Sequence, residues 1–338
     1  MTQATEDRFR SAFENKKVLI TGGLGFIGSN LAKALVPLGA QVLLVDSLIP
    51  DYGGNLFNIE EFKSGVTVNI ADVRDANGMR YLIRDQDFLF NLAGQVSHID
   101  SMVDPMTDLE INCRSQLSIL EACRHVNPDV RTVYASTRQI YGRPVELPAT
   151  EEHPLRPIDV NGINKISGES YHQLYANVYG LRTTSLRLTN TYGPRQLMKH
   201  NRQGFAGWFI RAVVLGEEIV LFGDGEQKRD FNYVEDVVEA FLLVAVSSKA
   251  EGEIYNLGAT PPTSLKQFVE LLYEVSGTEP TYKLVPFPEE RRRIDIGDFY
   301  TDYGKIERAL GWTPKTSLAA GVAKTIEFYR EHIERYLS

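Results

Sequence analysis

A glycine-rich segment near the amino terminus has the composition and spacing of a phosphate-binding turn. It reads Thr21-Gly22-Gly23-Leu24-Gly25-Phe26-Ile27-Gly28 and lies between a short apolar run and an amphipathic segment. Glycines at positions 22, 25 and 28 allow a tight turn, a close approach of backbone to a pyrophosphate, and close packing of a helix on a strand. The phosphate would then lie at the positive N-terminal end of that helix. The segment therefore predicts a phosphorylated ligand.

Asp46 follows at the end of the next apolar run, 21 residues after Gly25. A carboxylate at this spacing can accept hydrogen bonds from ribose hydroxyls. The same charge would repel a 2′-phosphate, so the pattern predicts NAD rather than NADP. The residues predicted to bind NAD in this region are Gly22, Gly25, Phe26, Ile27, Gly28 and Asp46, with Asp72 and Val73 expected at the adenine edge.

The elements that must position these residues alternate between short apolar runs and longer amphipathic ones. Buried strands are predicted at residues 17–20, 41–45, 66–70, 88–92, 131–135 and 181–188, and helices at 26–36, 109–126 and 164–179. Near-continuous apolar strands that alternate with helices indicate a parallel sheet covered on both faces. The predicted fold class is therefore α/β, with a Rossmann-type doubly wound parallel sheet.

Glycine and proline interrupt this pattern beyond Leu188. A helix at 234–246 and a strand at 254–257 are expected to return to the first lobe. A chain of 338 residues exceeds the size at which one hydrophobic core keeps growing. We therefore predict an NAD-binding Rossmann domain at 1–188 plus 230–258, and a smaller, discontinuous C-terminal substrate lobe at 189–229 plus 259–338.

The composition excludes several classes of function. With 36 Lys and Arg against 44 Asp and Glu, the net charge is −8, which argues against a nucleic-acid-binding protein. Two cysteines are too few for a disulfide framework or a cysteine-based zinc site, and no metal site is predicted. No apolar run approaches the ~18 residues of a membrane span. The protein is expected to be cytoplasmic and not bound to membrane.

A series of further motifs follows the glycine turn in a fixed order. They are Asn91-Leu92-Ala93-Gly94, Asn112, Ser136-Thr137 before Tyr141-Gly142, Lys165 with Glu169, the segments 186–195 and 223–231, Arg292 with Asp295, Asp302, and Leu310-Gly311-Trp312. With these motifs the chain resembles the extended short-chain dehydrogenase/reductases, in the branch of NAD-dependent nucleotide-sugar epimerases and dehydratases. The resemblance runs over about residues 17 to 325.

In that family a Ser or Thr, a Tyr and a Lys form the reactive group. The tyrosine takes a proton from a sugar hydroxyl while a hydride passes to NAD, and the lysine lowers the pKa of the tyrosine and holds the nicotinamide ribose. Thr137 and Lys165 match two of these positions. The resemblance also adds Leu92, Ala93, Gly94 and Lys165 to the residues predicted to contact NAD.

Asn161 occupies the position of the expected tyrosine, four residues before Lys165. An amide does not titrate, so Asn161 cannot be the general base. Three explanations remain open. In the first, another group takes the proton, either by relay through Thr137 or Lys165 or with His98 as the base. In the second, Asn161 binds an unusual substrate group. In the third, the chain binds its ligands without redox catalysis. A purely structural role for Asn161, as an N-terminal helix cap, is also open.

The residues after Thr137 bear on the reaction. Dehydratases of this family carry an Asp-Glu pair there, whereas this chain has Arg138 and Gln139. Since neither is a carboxylic acid, the substitution disfavours water elimination and favours epimerisation, with NAD regenerated in each turnover. Arg138 instead suits an anionic group such as a uronate carboxylate, which leaves a uronate epimerase or decarboxylase as an alternative. Short segments at 93–96 and 203–209 resemble the branch that epimerises CDP-tyvelose at C2.

The resemblance implies a nucleotide-diphosphate sugar as the substrate, with the second lobe as the nucleotide-sugar-binding domain. The residues predicted to contact it are Gln95, Arg138, Asn190, Arg229 and Arg292. Arg292 lies in a basic run, Arg291-Arg292-Arg293, that suits phosphate recognition. Family members that dimerise do so through two long helices, here near 106–125 and 161–178. We therefore expect a homodimer.

Overall fold

The computed structural model describes residues 3–49, 51–289 and 295–337. Within these ranges seven strands form one parallel sheet, with β11 separated in sequence from the other six. These strands are β1 (Lys17–Thr21), β2 (Gln41–Asp46), β3 (Val66–Ile70), β4 (Phe88–Asn91), β5 (Arg131–Thr137), β6 (Thr183–Leu188) and β11 (Ile254–Asn256).

The strand order of this sheet is β11-β6-β5-β4-β1-β2-β3. The strand order reverses between β1 and β4, which pair side by side. The chain after β1 continues towards β2 on one side, and the chain after β4 continues towards β5 on the other. In open parallel sheets, ligands bind at the carboxyl ends of the strands beside such a reversal. The predicted α/β class with a Rossmann-type sheet is confirmed.

Helices cover both faces of the sheet, as near-continuous apolar strands require. Along β1, Val18 and Ile20 pack into one apolar cluster and Leu19 packs into another on the opposite face. The helices are α1 (Gln3–Phe13), α2 (Phe26–Leu35), α3 (Ala76–Ile83), α4 (His98–Val103), α5 (Pro105–Leu109), α6 (Ser115–Val126), α7 (Val160–Tyr179), α8 (Phe205–Leu215), α9 (Val234–Ala245), α10 (Leu265–Ser276), α11 (Gly304–Leu310), α12 (Leu318–His332) and α13 (Glu334–Leu337).

Shorter strands pair outside the main sheet. Strands β7 (Asn190–Tyr192) and β10 (Phe231–Tyr233) are parallel, as are β8 (Ile219–Phe222) and β13 (Tyr282–Val285), whereas β9 (Lys228–Arg229) and β12 (Thr263–Ser264) are antiparallel. Most of this structure falls in segments assigned from the sequence to the substrate lobe. The division into two domains at the proposed boundaries stays a prediction.

Helix α7 begins earlier than the sequence pattern indicated. The predicted start was residue 164, but the helix begins at Val160 because Asp159 caps it, accepting a hydrogen bond from the Gly162 amide at 2.7 Å. The interpretation of Asn161 as the helix cap is therefore wrong, since Asn161 lies within the first turn. Its side chain is consequently available for tertiary contacts.

A search of the described residues for membrane-spanning helices finds none with the necessary length and apolar character.

Candidate active site

One cavity of about 440 Å³ opens at the carboxyl ends of the central strands. It is lined by all the residues predicted to bind NAD, namely Gly22, Gly25, Phe26, Ile27, Gly28, Asp46, Asp72, Val73, Leu92, Ala93, Gly94 and Lys165. Thr137, Arg138, Asn161 and Asn190 line the same cavity. Gln95 and Arg229 do not line it, and Arg292 lies outside the described residues.

The glycine turn leaves room that side chains would fill. A Cβ atom at Gly28 would lie 2.2 Å from the backbone oxygen of Gly22, and one at Gly22 would lie 3.1 Å from the backbone of Ala93. Gly22 also has a φ of +66°, which non-glycine residues rarely adopt. Because the turn opens α2, the free amides at the start of that helix face the cavity, and this cradle fits the pyrophosphate of a dinucleotide.

Asp46 is held in place by the loops on either side of it. Its carboxylate accepts hydrogen bonds from the amides of Leu24 at 3.1 Å and Leu48 at 2.9 Å. Burial raises the pKa of Asp46 above its usual value, and these two amides act in the opposite direction. A fixed carboxylate beside the glycine turn suits ribose hydroxyls and opposes a 2′-phosphate, which supports the preference for NAD over NADP.

Asp72 forms a salt bridge with Arg74, with a shortest distance of 2.5 Å between Nη2 and Oδ2. Hydrogen bonding by Arg74 keeps the pKa of Asp72 below its usual value. Val73 beside it is 7% exposed and presents an apolar surface to the cavity. The predicted contact of these two residues with adenine stays a prediction.

Lys165 lines the cavity from the second turn of α7. Its Nζ donates a hydrogen bond to the backbone oxygen of Ala135 at 3.0 Å and lies 5.0 Å from the centre of the Tyr134 ring. Within the described ranges it forms no salt bridge. Burial lowers the pKa of Lys165 to about 8, with the charge of Asp108 acting in the opposite direction.

Asn161 is 1% exposed and its amide nitrogen is engaged by neighbouring acceptors. Nδ2 donates to the Gln95 backbone oxygen at 2.7 Å, to Gln95 Oε1 at 3.2 Å and to Asp108 Oδ2 at 2.9 Å. All three partners are acceptors, so the nitrogen must face them and the amide orientation is determined. Asn161 therefore joins α7 to the loop after β4 and to α5.

Asp108 is the buried carboxylate that sequence reasoning missed. It is 0% exposed and accepts hydrogen bonds from three amides, those of Asn112 at 3.0 Å, Asn161 at 2.9 Å and Asn164 at 2.7 Å. A buried charge is costly unless hydrogen bonds replace its hydration. No local pattern indicates this role, because Asn161 and Asn164 lie 53 and 56 positions away.

The two tyrosines near Thr137 have other contacts. The Tyr141 hydroxyl donates to Asn256 at 2.6 Å and accepts from Arg187 at 2.7 Å. Tyr134 is 0% exposed and its ring stacks on His172 at 4.3 Å between centroids. Burial raises the pKa of both hydroxyls, to about 12 for Tyr141. Neither residue lines the cavity.

Histidine side chains differ in their access to the cavity. His98 begins α4 and lines the cavity beside Asn161. His172 is buried, its Nδ1 lies 2.8 Å from the Gly168 oxygen, and burial lowers its pKa to about 4. His98 is therefore the histidine that stays a candidate for proton transfer.

Arg138 follows Thr137 and forms a cationic wall of the cavity. Its guanidinium lies 5.4 Å from the centre of the buried Phe299 ring. Arg229 lies near enough to Arg138 for their positive charges to repel each other. Burial lowers the pKa of Arg229 to about 10, and repulsion by Arg138 contributes to the decrease. Arg229 donates to the backbone oxygens of Lys228 at 2.8 Å and Gly297 at 2.6 Å.

Two predicted substrate ligands are engaged with the protein. The Asn190 amide donates to the Asp230 backbone oxygen at 2.9 Å while the residue lines the cavity. Gln95 is 2% exposed and accepts hydrogen bonds from Asn161. Gln95 and Arg229 do not line the cavity, and their assigned roles as substrate ligands stay predictions.

Comparison with known proteins agrees with this geometry. The chain is 31% identical over 315 residues to the UDP-glucose 4-epimerase of Mycolicibacterium smegmatis, covering 93% of this chain and 98% of that protein. It is 31% identical over 341 residues to the CDP-paratose 2-epimerase of Salmonella typhi, covering 92% and 98%. The crystal structure of Thermus thermophilus UDP-glucose 4-epimerase with NAD superposes with a TM-score of 0.82 at 32% identity, covering 93% and 99%.

Residues 18–258 match the profile of one family, described as the NAD dependent epimerase/dehydratase family. The match spans both the glycine turn and β11, and so most of the motifs that indicated this family. NAD, predicted from the glycine turn and Asp46, is the cofactor that fits the cradle and that the family uses. The chain therefore belongs to the NAD-dependent epimerase/dehydratase family.

Proposed function

We propose that the protein is an NAD-dependent epimerase of a nucleotide-diphosphate sugar, with an atypical proton acceptor. The observation that carries this proposal is the shared cavity in which the glycine turn and Asp46 are joined to Thr137 and Lys165. A dinucleotide held at the turn would extend towards Lys165, and a sugar beside Thr137 would meet it there. When bound, NAD supplies reversible hydride transfer at one carbon of the sugar.

Lys165 is the group that we propose takes the hydroxyl proton. The hydroxyl proton moves to a neutral Nζ as the carbon loses its hydride, and it returns when the hydride is restored to the other face. Asn161 cannot titrate and its nitrogen faces Asp108, and the Tyr134 and Tyr141 hydroxyls lie outside the cavity. A pKa of about 8 makes the neutral amine accessible near neutrality.

Epimerisation is favoured over dehydration by the residues after Thr137. Elimination of water needs an acid and a base beside the sugar, and Arg138 and Gln139 provide neither. The backbone of Gln139 is tied to Thr137, because its backbone N–H donates to the Thr137 hydroxyl at 3.3 Å. The named relatives act at C4 of UDP-glucose or at C2 of CDP-paratose, and either carbon is compatible with this arrangement.

A catalytically silent binder of NAD and nucleotide sugar is the second candidate. The observation that favours it is that Asn161, held through its amide nitrogen by Gln95 and Asp108, leaves the usual phenol position without a titratable group. In this alternative, the cavity would hold both ligands without hydride transfer.

The proposal is tested by product analysis. The purified protein, loaded with NAD, is incubated with UDP-, CDP-, GDP- and dTDP-hexoses, and the sugars are followed by NMR. We expect one substrate to give its epimer with no net change in NAD. The same substrate deuterated at the reacting carbon should keep its deuterium in the product. Binding of NAD and sugar without any product or NADH absorbance, across the whole panel, would support the silent binder instead.

We also propose that the protein forms a homodimer through the helical segments near 106–125 and 161–178, extended by the neighbouring helix α4. These helices pack together and expose apolar side chains, among them Val103 at 81%, Met106 at 62% and Val178 at 61%. Exposed apolar patches of this kind mark interaction sites. Light scattering after size exclusion is expected to give twice the 38.0 kDa mass of one chain. Val103→Asp should shift the mass towards one chain, whereas Tyr81→Asp on α3 should not.

A further inference from the structure

We infer that Arg138 binds a carboxylate carried by the sugar ring, so that the substrate class is a nucleotide-diphosphate hexuronate. The inference rests on the proposed function and names the class of substrate for the same cavity. It follows from the surroundings of one guanidinium group and from its position in the chain.

Arg138 is placed on the reaction side of the cavity. It begins the short helical turn Arg138–Tyr141 that follows β5, immediately after Thr137. Lys165 and Asn161 line the same cavity. A group held by Arg138 therefore lies beside the residue whose hydroxyl is expected to contact the reacting sugar.

The guanidinium of Arg138 has no counterion among the described residues. It forms no salt bridge with them, and it lies against the face of Phe299 at 5.4 Å. Arg138 is half-buried, and a cation partly removed from water is stabilised when an anion or hydrogen-bond acceptors replace the lost hydration. The planar fork of an arginine matches the two oxygens of a carboxylate, so an anionic ligand would satisfy this group.

The nearest acidic groups are committed elsewhere. Asp159 caps α7 through the Gly162 amide at 2.7 Å. Asp230 is 0% exposed and its Oδ2 accepts from both the amide and the hydroxyl of Thr301, at 3.0 and 2.9 Å. Both influence Arg138 only through their charge. Arg229 adds a second positive charge on this side, which increases the attraction for an anion.

A sugar carboxylate and the substrate diphosphate share the same oxyanion chemistry. We favour the carboxylate because Arg138 is adjacent to Thr137 in the chain. Asn190, a predicted substrate ligand, lies instead on β7, and its side-chain amide donates to the backbone oxygen of Asp230, the residue after Arg229, at 2.9 Å. The two sources differ in one measurable respect. A diphosphate contact would strengthen every nucleotide ligand equally, and a carboxylate contact would strengthen only the uronates.

The experiment compares binding constants on NAD-loaded protein by calorimetry, without requiring turnover. The probes are UDP, UDP-glucose and UDP-glucuronate, together with glucose 1-phosphate and glucuronate 1-phosphate. The two sugar phosphates lack the nucleoside and so remove any dependence on the nucleobase. The uronate of each pair is expected to bind more tightly. Arg138→Gln should weaken the uronates by roughly 10- to 100-fold, the range for a hydrogen bond to a charged group, and leave UDP and the neutral sugars nearly unchanged.

Two further variants make the comparison specific. Arg138→Lys keeps the charge and should retain part of the uronate preference. Arg80→Gln, at an exposed position on α3, should leave all the binding constants unchanged. Equal weakening of UDP and UDP-glucuronate by Arg138→Gln would assign the residue to the diphosphate and overturn the proposal. Equal affinity of the wild type for neutral and acidic sugars in both pairs would overturn it as well. Either result can be obtained whether or not the protein epimerises sugars, so the two proposals fail separately.

Discussion

Replacing Lys165 with methionine is expected to lower kcat for sugar turnover by about 10²- to 10⁴-fold, the range contributed by a positioned proton-transfer group. The thioether has a similar length but neither charge nor a titratable nitrogen. Because the side chain is 5% exposed and its hydrogen bond within the described ranges is to the Ala135 backbone, the fold should survive the change. Turnover is measured at saturating NAD, with NAD affinity determined separately by calorimetry.

The pH profile of the wild type distinguishes a proton acceptor from a residue that only holds the cofactor. Burial lowers the pKa of Lys165 to about 8, so the amine is protonated below that pH and neutral above it. Since only the neutral amine accepts a proton, kcat/KM should rise as the pH increases through about 8. The charge of Asp108 raises this pKa, and Tyr134 and His172 are the other titratable groups packed nearby. Asp108→Asn should therefore move the rise to lower pH.

His98 provides the matched control for this prediction. It lines the same cavity, and histidine is a residue type that transfers protons near neutral pH. His98→Gln should leave the rise near pH 8 in place. If the rise instead disappears with His98→Gln, while Lys165→Met keeps kcat within about tenfold, then His98 rather than Lys165 is the proton acceptor.

Replacing Arg187 with methionine is expected to destabilise the protein by about 3–5 kcal/mol, the cost of leaving a buried charge without its partner. Arg187 and Glu169 have side chains that are both 4% exposed, and Nη2 lies 2.6 Å from Oε1. Arg187 also donates to the Tyr141 hydroxyl at 2.7 Å and to the Glu151 backbone oxygen at 3.0 Å. The variant would leave the Glu169 carboxylate buried in α7 without a cation. Urea unfolding measures the loss.

A second substitution separates the charge from the packing. Adding Glu169→Gln to Arg187→Met removes the orphaned carboxylate, so the double variant should recover much of the lost stability. Lys324→Met breaks an exposed pair with Glu235, whose side chains are 52% and 63% exposed, and should cost less than about 1 kcal/mol. A double variant no more stable than Arg187→Met would show that the charge pair is not the source of the effect.

The central sheet and the cofactor turn could be predicted because both are encoded by local patterns. Strands at 17–21, 41–46 and 66–70 differ from the predicted bounds by at most one residue. Continuous apolar runs report burial on both faces, and the glycine spacing reports a backbone conformation that only glycine tolerates cheaply. Asp46 was identifiable for the same reason, since its distance from the turn is set by one strand-turn-helix unit.

The hydrogen bonds around Asn161 could not be predicted from the sequence. Its partners Gln95 and Asp108 lie 66 and 53 positions away and come from different elements. The sequence left a helix cap open as a role for Asn161, and the actual cap, Asp159, lies two residues earlier. The same limit applies to Gln95 and Arg229, because family position identifies a residue but does not tell whether that residue lines the cavity.

The placement of β11 has a consequence for synthesis on the ribosome. This strand pairs with β6 at the border of the main sheet, although β7, β8, β9 and β10 are translated between them. A nascent chain that has emerged only as far as β6 presents an unprotected strand border, the kind of surface at which separate polypeptides join. Pauses in translation before residues 254–256 emerge should therefore promote aggregation, and chaperone demand should fall once they do.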